Sequence, residues 1–72
     1  MTIEEITAER SAKIADLVEK IATTAAGRER WKNSMHPQAT AVIVAADNAI
    51  EAYKRELSEA MLKLIRWVVN ND

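Results

Sequence analysis

The feature that most constrains this chain is an apolar heptad repeat that runs without interruption through its second half. Apolar residues recur there at alternating spacings of three and four, at Ile43, Ala46, Ile50, Tyr53, Leu57, Ala60, Leu64 and Trp67. Four consecutive heptads of this kind are typical of a long helix that packs its apolar stripe against another helix. Counted from Pro37, which suits the first position of a helix, this helix would be roughly 50 Å long.

The first half of the chain predicts the helix against which this stripe packs. Thr2 and Glu5 have the spacing of a capping box, and Met1 and Ile6 occupy the two positions of a hydrophobic staple. Apolar residues then follow at helical spacing, at Ile3, Ile6, Ile14, Leu17, Val18, Ile21 and Ala25. We therefore expect an all-α antiparallel helical hairpin in one domain, with helix 1 at about 2–33, a corner at 33–36 and helix 2 at about 37–70.

Gly27 leaves one question open about helix 1. The glycine stands where it could end a helix, yet the residues after it are able to continue one, at a cost of about 1 kcal/mol relative to alanine. A helix that stopped at Ala26 would leave a third of helix 2 without a partner. We therefore expect helical structure through Trp31, either straight or kinked near Gly27.

The size and composition of the chain favour self-association. A single core in a protein of this size rarely supplies more than about 3–5 kcal/mol, and the 72-residue sequence has no cysteine with which to form a disulfide. We therefore expect a homodimer that forms a four-helix assembly. With ten basic and eleven acidic residues, the chain does not have the charge of a general polyanion binder.

Helix 2 carries apolar residues outside its heptad stripe, and these form the main candidate surface. Leu62, Ile65 and Val69 fall on the opposite face of the helix, and Val44 makes its beginning apolar nearly all round. Exposed apolar patches of this kind mark interfaces. We assign Leu62, Ile65, Val69, Trp67 and Val44 to self-association or to the binding of a client protein, two uses that the sequence does not separate.

A second candidate surface lies near the corner, in the segment "GRERWKNSMHP". It comprises Arg28, Arg30, Trp31, Lys32 and His36. Cations around an aromatic ring suit the stacking and charge of single-stranded nucleic acids. Cations at the end of a helix also complement its dipole, and Trp31 would cover the start of helix 2, so this segment also fits a corner with a hydrophobic plug.

The sequence predicts no catalytic or metal site. His36 is the only histidine, and the Glu-x-x-His pattern of di-metal helical bundles is absent. Ser34 is the one serine near His36, with no third group to orient the pair. We expect no enzyme activity, no cofactor and no small-molecule substrate, and a helix-start role for His36.

These observations lead to three functional hypotheses. The leading one is a homodimeric inhibitor or anti-activator that binds a larger regulatory protein, a type common among small accessory proteins of phages and mobile elements. The alternatives are a nucleic-acid-binding regulator that uses the segment 28–32, and a structural assembly component. The acidic N-terminus resembles neither a signal nor a transit peptide, and the longest uncharged run, 33–46, is too short for a membrane span, so we expect a soluble cytoplasmic protein.

Overall fold

The computed structural model describes residues 2–70. They form two helices, α1 (Ile3–Lys32) and α2 (Ala39–Asn70), which pack side by side in a rod of 53 × 15 × 14 Å. Contacts between Arg28 and Asp47 near the corner and between Arg10 and Trp67 at the other end show that the helices are antiparallel. The predicted all-α hairpin is confirmed.

The start of α1 follows the predicted capping pattern. Thr2 has an extended backbone, and its Oγ1 accepts a hydrogen bond from the backbone N–H of Glu5 at 3.1 Å, which satisfies one of the amides that a helix start leaves unpaired. The staple residue Met1 lies outside the described residues. At the other end, Arg30 and Lys32 occupy the last turn, where positive charge complements the helix dipole.

Gly27 lies inside α1 and does not end it. The helix is continuous from Ile3 to Lys32, and no described glycine has a positive φ. The expectation that helical structure persists through Trp31 is confirmed. The helix continues because an ordinary helical backbone is open to glycine at a modest entropic cost, which the packing of the residues beyond it offsets.

The corner is longer than predicted, because α2 begins at Ala39 rather than near Pro37. His36 organises this start. Its ring Nδ1 accepts a hydrogen bond from the backbone N–H of Gln38, and its carbonyl accepts one from the N–H of Ala39, both at 3.0 Å. Pro37 and Gln38 therefore form a turn that leads into the helix, with the histidine side chain in the role of a cap.

The contact between the helices follows the predicted heptad stripe of α2. Every member of that stripe is half-buried or buried. Leu17 of α1, 3% exposed, and Ala60 of α2, 9% exposed, are the two buried residues in the described part of the chain. The core is therefore very small.

Two predicted core residues of α1, Ile3 and Val18, are exposed. The sequence placed them on the contact stripe, and this prediction is wrong. Val18 lies one step around the helix from Leu17, and Ile3 is the first residue of α1, at the open end of the hairpin. The contact stripe instead runs through both apolar and polar residues, namely Arg10, Ile14, Leu17, Ile21, Thr24, Arg28 and Trp31.

Ion pairs along α1 add little to the packing. Asp16 and Lys20, which have the i,i+4 spacing that favours an ion pair on a helix, form one at 3.1 Å, and their hydrogen bond raises the pKa of Lys20 above its ordinary value. Glu9 and Lys13 have the same spacing, but this pair is not among the ion pairs of residues 2–70. Both members of the Asp16–Lys20 pair are exposed, so solvent screens their attraction.

Neither helix, within the part of the chain that the structure describes, has an apolar stretch long enough to cross a membrane.

Candidate interaction surfaces

One side of the hairpin is a charged cleft at its open end. Its volume is about 790 Å³, and its walls carry four cations and two carboxylates, Arg10, Lys13, Lys63, Arg66, Glu56 and Glu59. The guanidinium of Arg10 lies 5.6 Å from the centre of the Trp67 ring, a cation–π arrangement. Trp67, which the sequence assigned to the interaction surface, is thus half-buried beneath Arg10 at the base of this cleft.

The opposite side of the hairpin is apolar in its open-end half. Lys13 of α1 and Lys63 of α2 both line the cleft, so each helix turns one flank toward the cleft side. The other flank of each helix then lies on the opposite side of the hairpin. There α2 presents the exposed side chains of Met61, Ile65 and Val68. By helical spacing, the same side of α1 carries five small residues and one larger apolar residue, Ala8, Ser11, Ala15, Ala22 and Ala25 with Val18. We call this surface the apolar side.

The predicted ridge of Leu62, Ile65 and Val69 is exposed and continues the apolar side around α2. Ile65 is 56% and Val69 is 69% exposed. Met61 and Val68 border the ridge and are also exposed, although their helical spacing groups them with Leu57 and Leu64 of the contact stripe. Val44 is exposed too, but it lies near the corner and is separate from this group.

The hairpin has more surface than a compact monomer of its size. Its accessible area is 5536 Å², whereas a compact monomer of the same mass has about 4500 Å². The excess, on the order of 1000 Å², is similar to the roughly 800 Å² that one partner contributes to a standard interface. Two helices alone form no second layer, so nothing else in residues 2–70 covers the ridge.

The corner segment is tied to α2 through Arg28. The Nε of Arg28 donates to Oδ1 of Asp47 at 2.6 Å, and its Nη1 lies 3.4 Å from Oε1 of Glu29. The sequence offered Arg28 as a cation for nucleic acid, and in the structure it has two carboxylate partners. Arg30 and Lys32 remain exposed.

The remaining corner residues form a small cluster. The rings of Trp31 and His36 meet edge to face with centroids 5.5 Å apart, and Arg30 and Ser34 complete an open cavity of about 360 Å³ beside them. Trp31 is half-buried, which suits a plug at the end of the helical contact. Met35, at the tip, is fully exposed.

Sequence reasoning missed both contacts between the helix ends. Asp47 lies 19 residues from Arg28, and Arg10 lies still farther from Trp67, so no local spacing reveals either pair. Within residues 2–70, no group of three acidic or histidine side chains is arranged to hold a metal ion. No family model, curated protein or solved structure matches this chain.

Proposed function

We propose that this chain is a cytoplasmic, non-enzymatic interaction protein that acts as a homodimer and inhibits a larger regulatory protein by binding to it. The observation that carries this proposal is the group of exposed apolar side chains at the end of α2, beside a core of two buried residues. The group consists of Met61, Leu62, Ile65, Val68 and Val69.

The energetic argument for a partner is direct. Fully burying an exposed apolar side chain contributes about 1.5–3 kcal/mol, and these five are 47–69% exposed, so covering each of them adds about half of that amount. The core of a protein of this size supplies about 3–5 kcal/mol in total. Covering the ridge and the apolar side therefore contributes as much as the hairpin's own packing. A four-helix assembly of two chains supplies that cover.

The corner supports a binding role rather than a catalytic one. The Nδ1 of His36 accepts a hydrogen bond from the backbone N–H of Gln38, so one of its two ring nitrogens is used to start α2. Ser34 is engaged as well, since its Oγ accepts a hydrogen bond from the backbone N–H of His36. Both side chains stabilise the turn.

Nucleic-acid binding is the second candidate. Arg28 faces Asp47 and Glu29, which leaves Arg30 and Lys32 as the exposed cations of that segment, and the cations of the open-end cleft are interleaved with Glu56 and Glu59. Binding dominated by phosphate contacts weakens steeply as salt rises, whereas binding through apolar side chains does not. A structural assembly component, the third hypothesis, would dimerise without a client.

The first test is the change Ile65→Glu. Glutamate is a good helix former, so circular dichroism monitors whether the helices persist. Light scattering on the wild type should give at least twice the chain mass of 8.1 kDa, and Ile65→Glu should reduce the mass or abolish client binding. The matched control is Ala52→Glu, which adds the same charge at an exposed alanine of α2 away from the ridge.

The outcomes separate the uses of the ridge. Loss of the dimer in Ile65→Glu, but not in Ala52→Glu, assigns the ridge to self-association. A dimer that persists while the client is lost assigns the ridge to the client, and affinity measured at low and high salt then distinguishes a protein from a nucleic acid. If neither property changes, the proposal is wrong.

A further inference from the structure

We infer that two copies of this chain pack through their apolar sides about a two-fold axis parallel to the helices, so that both corners lie at the same end of the dimer. The inference rests on the proposed self-association and specifies its geometry. It follows from the uneven distribution of large, small and charged residues along the apolar side.

Contacts at the two ends of the hairpin fix which residues of α1 and α2 lie at the same level. Asp47 pairs with Arg28, and Trp67 lies beneath Arg10. Counting from these pairs, Met61, Ile65 and Val68 are level with Ala15, Ser11 and Ala8, respectively. In the open-end half of the apolar side, α2 therefore presents large side chains and α1 presents small ones.

A two-fold axis parallel to the helices preserves these levels. It places α2 of one copy against α1 of the other, so Met61, Ile65 and Val68 of each copy oppose the row of small residues on its partner. Large side chains opposite small ones allow two surfaces to interdigitate without voids. Both halves of this contact recur by symmetry, as in any isologous interface.

A two-fold axis perpendicular to the helices places the open end of one copy beside the corner of the other. The apolar end of α2 would then oppose the corner half of the partner's α2. The same flank carries Asp47, Glu51 and Lys54 there, all of them exposed. This pairing sets charged side chains against large apolar ones, which is costly. The parallel axis instead sets them beside the small residues of the partner's α1, so the match of large with small residues favours the parallel axis.

The elongated hairpin leaves surface that a second copy can cover. The excess of about 1000 Å² over a compact monomer is close to one partner's share of a standard interface. The small residues of α1 also complement the chain's own large residues on α2. A second copy therefore supplies both the area and the matching shape.

Distances between spin labels test the arrangement. The sequence contains no cysteine, so Met35→Cys places a single label at the fully exposed tip of the corner. The parallel axis brings the two labels within about 30 Å, or two to three helix diameters. The perpendicular axis separates them by about the 53 Å length of the rod.

A label at the open end provides the matched control. Glu4→Cys, at an exposed position of α1, should also give a short distance between copies. A mixed dimer with one label at each position should give a long one. The perpendicular axis predicts long distances for the Met35→Cys and Glu4→Cys dimers and a short distance for the mixed dimer.

Light scattering on the labelled proteins tests self-association separately from the inferred arrangement of the two copies. A dimer with short corner-to-corner and short end-to-end distances supports the inferred arrangement. A dimer whose corner labels lie near the full length of the rod overturns the arrangement and leaves self-association intact. A monomer overturns both.

Discussion

Arg28 and Asp47 join the two helices next to the corner, where Nε of Arg28 donates to Oδ1 of Asp47 at 2.6 Å. This is the one ion pair between α1 and α2 in the described residues. Arg28 is 30% and Asp47 is 52% exposed, so the pair is partly shielded from solvent. The pair sets the register of α2 against α1, with Asp47 beside Arg28.

We predict that this pair contributes a measurable but modest coupling energy. A double-mutant cycle with Arg28→Ala, Asp47→Ala and the double variant should give about 0.5–1 kcal/mol, because partly exposed pairs are screened by water. The measurement is urea unfolding at a fixed protein concentration, since association also stabilises the chain. The coupling should fall at high salt, and additive single effects would show that the pair does not fix the register.

Gly27→Ala should stabilise the protein by about 0.4–1 kcal/mol. Gly27 has no positive φ, and a Cβ there would meet only Nη2 of Arg30 at 3.9 Å, an ordinary contact. Alanine would thus gain helix propensity without strain. The matched control is Ala26→Gly at the exposed neighbouring position, which should destabilise by a similar amount, and a destabilising Gly27→Ala would contradict a continuous α1.

The hairpin could be predicted from the sequence because its strongest signals are local. The heptad repeat from Ile43 to Trp67, the cap at Thr2 and the break around Pro37 each act over a few residues. The contact stripe of α1 was harder to assign. An assignment by hydrophobicity places Val18 and Ile3 there, whereas the residues that belong to it include Arg10 and Arg28. Their aliphatic stems pack while their charged groups find Trp67 and Asp47, partners that only the folded chain brings near.

The candidate surface was predictable only in part. The ridge of Leu62, Ile65 and Val69 followed from helical periodicity once the seam was known. The apolar side could not be predicted in this way. It combines Met61 and Val68 of α2 with small residues of α1, and only the packed structure shows which flanks of the two helices lie on the same side. The start of α2 was also misplaced, because a histidine side chain is an uncommon cap.

His36 should stabilise the start of α2 through its ring nitrogen rather than through its contact with Trp31. His36→Ala removes the acceptor for the N–H of Gln38 and should cost about 0.5–2 kcal/mol, the range for a lost helix cap. His36→Asn retains an oxygen at the corresponding position and should recover most of that loss, although it removes the ring contact. Equal destabilisation in both variants, measured by thermal unfolding, would assign the effect to the aromatic pair instead.

The small residues of α1 should prove as necessary for association as the ridge of α2. For a dimer, a hundredfold increase in concentration adds about 2.7 kcal/mol, which corresponds to a rise in Tm of about 5–10 °C for two chains of this length. We expect this rise in the wild type and in Ala12→Glu, where the alanine is exposed on the face of α1 turned away from the seam. Ala15→Glu places the same charge in the row opposite Met61 of the partner, so its Tm should be lower and independent of concentration. Scanning calorimetry at two concentrations makes the comparison, and a concentration-dependent Tm in Ala15→Glu would remove α1 from the interface.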